Sequence, residues 1–172
     1  MAESKIPDIL FCQMDAMAEE NPDFPVVTFE NSPHPDEVLT YGDLVIKGRK
    51  LTRALQKSSI GRGDAFALLM RNHLEVVLAM YAASALGAVV VPIDPRSMSQ
   101  KLSFQIKNSG SKGVIFTAEF LDSMEEVLSS LPGVKTVGVL GGSSSLREIE
   151  KEKPFKILRK LCDLIKIVES HG

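Results

Sequence analysis

The chain is 172 residues long, carries 20 Lys+Arg against 22 Asp+Glu, and is 44% hydrophobic. This suits one globular domain, or a domain with a small appendage, able to bury roughly 70% of its unfolded surface without disulfide or metal staples. The charged fraction of 24% excludes a disordered or collagen-like chain, and a net charge of −2 gives no reason to expect a nucleic-acid partner.

The N-terminal stretch sets Glu3, Asp8, Asp15, Glu19 and Glu20 around short apolar runs, unlike a signal peptide. Pro7 to Glu20 reads as a helix, with Pro in the first turn and Ile9, Leu10, Gln13, Met14 and Met17 at helical spacing. Asn21-Pro22-Asp23 ends it. Phe24 to Glu30 reads as a strand and Val38 to Thr40 as its short partner, across a loop with Pro33 and Pro35. Thr40-Tyr-Gly-Asp43 resembles a capping box and opens a helix to about Lys57, with Leu44, Leu51 and Leu55 on its buried side.

The pattern then alternates strictly. Ala65 to Met70 is wholly apolar, as for a strand covered on both faces. Asn72-His-Leu-Glu75 supplies a cap and first-turn acid for a helix ending at Gly87. Val89 to Ile93 is strand, Ser99 to Asn108 helix, Gly113 to Thr117 strand, Ala118 to Ser130 helix, and Thr136 to Leu140 strand. Val76 to Ile93 is 18 residues without a charge, the lower limit for a membrane span. Gly87 and Pro92 interrupt it, and an Ala-rich half gives way to Val89-Val-Val91. A buried helix turning into a buried strand explains both halves, so the chain reads as soluble. The expected fold class is α/β: a mostly parallel sheet with helices on both faces, a small N-terminal hairpin and a C-terminal helix. Residues 1–145 form the expected main unit and 146–172 a helical tail, with a possible break at Pro154.

Chemical motifs are sparse. No G-x-G-x-x-G opens a helix and no G-x-x-x-x-G-K-[ST] occurs. Gly138-Val-Leu-Gly-Gly-Ser-Ser-Ser145 follows a strand and offers amides to an anion, but without a lysine it reads as a solvated loop. His34, His73 and His171 are scattered, and none is spaced to pair with Cys12, Cys162 or a serine. Those two cysteines form neither a disulfide framework nor a metal cluster, which fits a reducing, cytoplasmic compartment. Asp94 stands at a strand's carboxyl end, where ligand crevices open, or else caps a turn between Pro92 and Pro95. Lys47, Arg49, Lys50, Arg53 and Lys57 make one helix basic, with Arg62 following. A solvated face is the plainer reading, attraction of a phosphate-bearing ligand the sharper one. In the tail, Phe155, Leu158, Cys162, Ile165 and Val168 oppose Lys156, Arg159, Lys160 and Lys166. Such a basic amphipathic helix packs on the domain or lies on a membrane surface.

Four blocks in order carry a resemblance. Leu39-Thr-Tyr-Gly-Asp-Leu44 resembles the first core motif of the AMP-forming adenylating superfamily, the family of acyl-CoA synthetases. Gly61-Arg-Gly-Asp64, followed by an apolar strand and Arg71-Asn72, resembles the next block. Ser84-Ala-Leu-Gly-Ala-Val-Val-Val-Pro-Ile-Asp94 is similar to the second core motif, and Leu102 to Thr117, with Asn108-Ser-Gly110, to the segment after it. The resemblance spans about residues 20 to 140. It implies part of the large N-terminal domain of a carboxylate–CoA ligase that uses ATP, magnesium and CoA. It also implies structural roles: Thr40 and Asn72 as helix caps, Gly63 and Gly87 in tight turns, Pro92 at a strand end.

The family's Ser/Thr/Gly-rich phosphate loop does not follow, for no Thr-Gly dipeptide occurs. The later adenine, ribose and metal motifs and the lid with its lysine are also absent. Catalytic, cofactor-binding and metal residues are therefore expected to number none, and the chain alone is expected neither to bind ATP, magnesium and CoA nor to adenylate. The expected identity is an N-terminal scaffold fragment of such a ligase. The alternative is a stand-alone binding or assembly module that self-associates through an exposed apolar face.

Overall fold

The computed structural model describes residues 9–30, 35–97 and 99–140, and the backbone of 157–159. Helix α1 (Leu10–Glu20) leads into an antiparallel hairpin of β1 (Pro25–Phe29) and β2 (Glu37–Thr40). Helix α2 (Tyr41–Lys57) begins where the sequence places it. Thr40 Oγ1 accepts the Asp43 N–H, and the Asp43 carboxylate accepts the Thr40 N–H, each at 3.2–3.3 Å. The reciprocal cap satisfies two donors that every helix start leaves open.

The main sheet then forms from β3 (Ala65–Leu69), β4 (Val89–Pro92), β5 (Ser111–Thr117), β6 (Thr136–Leu140) and β7 (Ile157–Arg159), all parallel, in the spatial order β4-β3-β5-β6-β7. Helix α3 (Glu75–Leu86) joins β3 to β4, α4 (Ser99–Asn108) joins β4 to β5, and α5 (Leu121–Ser129) joins β5 to β6.

Period-2 alternation divides the core between two faces. Phe66, Leu68 and Ile115 pack on one side with Leu44, Leu51 and Leu55 of α2 and Leu78 and Tyr81 of α3. Ala67, Leu69, Val114, Phe116, Val137 and Val139 pack on the other with Leu102 and Ile106 of α4 and Met124 and Val127 of α5. Every residue of β3 is buried, as an apolar run inside a doubly covered parallel sheet requires. Leu44 and Leu55 are fully buried, each contributing about 1.5–3 kcal/mol over exposure. Helix α1 has no fully buried residue; it lies on the first face through Phe11, Met14 and Ala18. The hairpin docks there through Leu39.

Two glycines meet at the turns that begin β3 and β4. Gly63 and Gly87 both take positive φ (78° and 64°), and the Gly63 N–H donates to the Gly87 carbonyl at 2.8 Å. Only glycine enters that region without steric cost.

Several boundaries differ from expectation. Asn72 does not cap α3: the helix starts from Leu74, with no side-chain cap, through short-range bonds from Val76 to His73 and Val77 to Leu74. Burial of Leu74 (8% exposed) fixes that start, so packing overrides the capping signal. Residues 118–120 form a 3-10 turn before α5 rather than its first turn. In the expected tail helix, 157–159 is instead a strand, paired with Val137–Val139. The outer edge of β6 presents unpaired backbone groups that a strand satisfies and a helix does not. The rest of the expected tail lies outside the described residues. No helix among the described residues is long and apolar enough to cross a membrane.

Candidate functional site

Strand order positions the site. The chain leaves β3 for β4 over one face of the sheet, then returns from β4 past β3 to β5 over the other. The connections leaving the carboxyl ends of β3 and β5 therefore run in opposite directions, and such a switch point is where open α/β sheets bind ligands.

Arg71 follows β3; Thr117 ends β5, and Glu119 and Phe120 follow it. Arg71 Nε donates to Glu119 Oε2 at 3.1 Å, and Thr117 Oγ1 donates to Glu119 Oε1, also at 3.1 Å. The guanidinium carbon lies 6.0 Å from the centre of the Phe120 ring, within cation–π reach. Arg71 and Glu119 are solvent-exposed, whereas Thr117 is buried. His73, on the Arg71 loop, stacks on Phe29 with ring centres 6.4 Å apart, bringing the hairpin to the same end of the sheet. Its Nδ1 is 3.9 Å from a Glu75 oxygen.

Asp94 lies after the edge strand β4 and serves its turn. Its carboxylate accepts the Arg96 N–H at 2.9 Å and both Nε and Nη2 of the Arg96 side chain at 3.0 Å. The Arg96 guanidinium, aided by the Arg96 N–H, holds this carboxyl down at about 2. A cavity of about 300 Å³ opens beside it, lined by Asp94, Arg96, Ser97, Gln100 and Lys101. A second, of about 430 Å³, lies at the opposite end of the sheet among Ile106, Lys107, Ser111, Leu131 and Val134.

The basic helix is not simply a solvated face. Arg49 Nη2 donates to Asp15 at 2.8 Å, and the other Asp15 oxygen accepts the Tyr81 hydroxyl at 2.6 Å, which ties α1 to α2 and α3. Burial first, then the Asp15 hydrogen bond, raises the Tyr81 hydroxyl to about 12. Cys12 on α1 is a free thiol. His34, His171, Cys162 and residues 141–145 of the glycine–serine loop lie outside the described residues. Among the described residues no three His, Cys, Asp or Glu side chains converge to hold a metal ion.

Sequence reasoning placed Arg71 only inside a family block and gave Thr117 and Glu119 no role. Their signal is positional: each stands at a strand's carboxyl end, which carries weight only once strand order is known.

A family model described as AMP-binding enzyme matches residues 14–161. The chain belongs to the AMP-binding enzyme family, as an N-terminal part of it. It is 31% identical, over 109 residues, to a medium/long-chain-fatty-acid–CoA/3-oxocholest-4-en-26-oate–CoA ligase of Mycobacterium marinum, covering 63% of this chain and 20% of that one. Its fold superposes on the N-terminal domain of FACL13 from Mycobacterium tuberculosis with a TM-score of 0.70 and 28% identity, covering 85% and 36% of the two chains. A long-chain-fatty-acid–CoA ligase of Archaeoglobus fulgidus shares the fold at TM-score 0.77 and 20% identity, covering 94% and 30%. The chain spans about a fifth of the length of the curated ligases it matches.

Proposed function

We propose that this chain is the N-terminal scaffold portion of an ATP-dependent acyl-CoA synthetase. The observation that carries the reading is the AMP-binding family match over residues 14–161, laid on a parallel sheet whose order reverses between β3 and β5. In the longer protein a carboxylate attacks the α-phosphate of ATP, releasing pyrophosphate, and the CoA thiol then displaces AMP from the acyl-adenylate. ATP, magnesium and CoA engage that longer protein, and no residue here is assigned to magnesium. What the described residues supply is a two-faced wall with the carboxyl ends of β3 and β5 set by backbone pairing.

The polypeptide tested alone does not adenylate. One preorganised donor to a developing charge is worth about 3–4 kcal/mol. Lacking three or more, together with the metal site and lid lysine, it forgoes roughly 9–12 kcal/mol, or about 10⁶ to 10⁹ in rate. Non-additivity blurs that figure without reversing the outcome. The experiment is ATP–pyrophosphate exchange by the purified chain over a panel of carboxylates. No exchange above a boiled control is expected; carboxylate-dependent exchange refutes the reading. A cytoplasmic setting belongs to the same proposal, supported by two cysteines without disulfide or metal spacing.

Self-association through an exposed apolar face is part of the proposal, supported by large apolar side chains left exposed, among them Val89 of β4 at 52% and Phe104 of α4 at 65%. Sedimentation that stays monomeric up to high concentration rules it out.

A further inference from the structure

At the strand-order reversal two donors already grip a carboxylate, and that carboxylate belongs to the chain. Arg71 Nε and Thr117 Oγ1 address separate oxygens of Glu119, each at 3.1 Å. A guanidinium and a hydroxyl so placed match any group with two oxygens on one centre, whether carboxylate or phosphate. We propose that Arg71 and Thr117 form an oxyanion-binding site whose resident occupant, the Glu119 carboxylate, gives way to the carboxylate or phosphate of a bound ligand.

Each part favours exchange over permanent clamping. The loops need no clamp, since β3 and β5 are already held in register up to Leu69 and Phe116. Ion pairs this exposed, with side chains 64% and 41% accessible, bind their partners weakly. Glu119 itself sits in a single 3-10 turn, Ala118–Phe120, and its long side chain swings out through its own torsions. The receptor is better fixed than its occupant. Thr117 is 6% exposed at the end of a buried strand, and a hydroxyl so placed keeps a partner at all times, Glu119 or its replacement. Arg71 leans on the Phe120 ring, a contact that survives departure of the carboxylate. The location is the carboxyl-end switch point between β3 and β5, where open α/β sheets bind ligands. The choice of ligand class rests on the proposed acyl-CoA synthetase reading, in which carboxylate, ATP and acyl-adenylate all carry oxyanions.

The test is binding, not turnover, by the ¹⁵N-labelled 172-residue chain. Hexanoate and AMP are titrated separately at constant ionic strength, following the Arg71 Nε and the amides of 71–73 and 117–120. Saturable shifts confined to these groups are expected with at least one probe. The stronger probe identifies the site as one for the acyl or the phosphate end. Glu119→Gln removes the internal competitor and tightens binding about 2–5-fold, the range that exposed ion pairs support. Arg71→Gln and Thr117→Val each weaken binding by a similar factor or more while distant α2 resonances stay unchanged. Absence of saturable binding in both wild type and Glu119→Gln overturns the proposal. So does binding that Arg71→Gln leaves intact, or that maps to the basic side of α2. Because no catalysis is read, failure here leaves the scaffold reading standing, and exchange activity leaves this site standing.

Discussion

Replacing Gly48 with alanine separates tertiary packing from helix propensity, because the two predict opposite signs. In an exposed helix the change stabilises by about 1 kcal/mol. Gly48, however, is a buried position of α2 facing the Tyr81 ring of α3. A Cβ there would lie 2.3 Å from Tyr81 Cδ1, 2.8 Å from Cγ and 2.9 Å from Cε1. The ring must retreat by about 1 Å to restore ordinary contact. It has nowhere to go: Tyr81 is 1% exposed, and its hydroxyl is held 2.6 Å from Asp15. Overpacking costs about 1–3 kcal/mol, and a disturbed hydrogen bond to a charged group about 1.5–3 more. Less the propensity gain, G48A should destabilise by about 1.5–5 kcal/mol, lowering Tm by roughly 3–20 °C. Urea unfolding with a shared m-value measures the difference. The G48A/Y81A double variant should then show a favourable coupling, because truncating the ring makes room for the methyl. A neutral or stabilising G48A, or additive effects in the cycle, refutes the packing argument.

Other expectations follow from the same geometry. Thr40→Ala removes the hydroxyl that accepts the Asp43 N–H, leaving the Thr40 N–H bond to the Asp43 carboxylate, and should cost about 1 kcal/mol in urea unfolding, with Thr40→Ser close to wild type. The Tyr81 hydroxyl, raised to about 12 by burial and Asp15, stays protonated where the unfolded chain ionises near 10. Its contribution is complete below pH 10 and disappears as pH rises toward 12. Tyr81→Phe should therefore flatten that part of the stability curve. Asp94, held at about 2, contributes above its unfolded value of 3.8 and loses that contribution as pH falls toward 2. Asp94→Asn should remove this acid-side dependence in a thermal-unfolding series.

Local chemistry made much of the fold legible. The capping box at Thr40 and Asp43, the apolar run of β3, the left-handed Gly87 and the strand Thr136–Leu140 are each dictated by neighbours in sequence. Family membership was legible too, since four short blocks in fixed order leave few other origins. Asn72 was misread as a cap because the chain offers a capping residue there, while the cost of exposing Leu74 appears only in three dimensions. The strand at 157–159 was hidden for the same reason: whether a segment pairs depends on an open edge of β6, not on its own periodicity.

The candidate site lies wholly on that second level. Arg71 and Glu119 are 48 residues apart, and nothing local marks them as partners. Their meeting follows from one crossover that carries the chain from β4 past β3, placing β5 beside β3. Propensity and pattern act over a few residues, so they specify elements and core faces. Strand order comes from which buried faces can be covered together, and it alone turns a strand-end arginine, threonine and glutamate into neighbours. In these 172 residues only the tertiary structure brings the ends of β3 and β5 side by side.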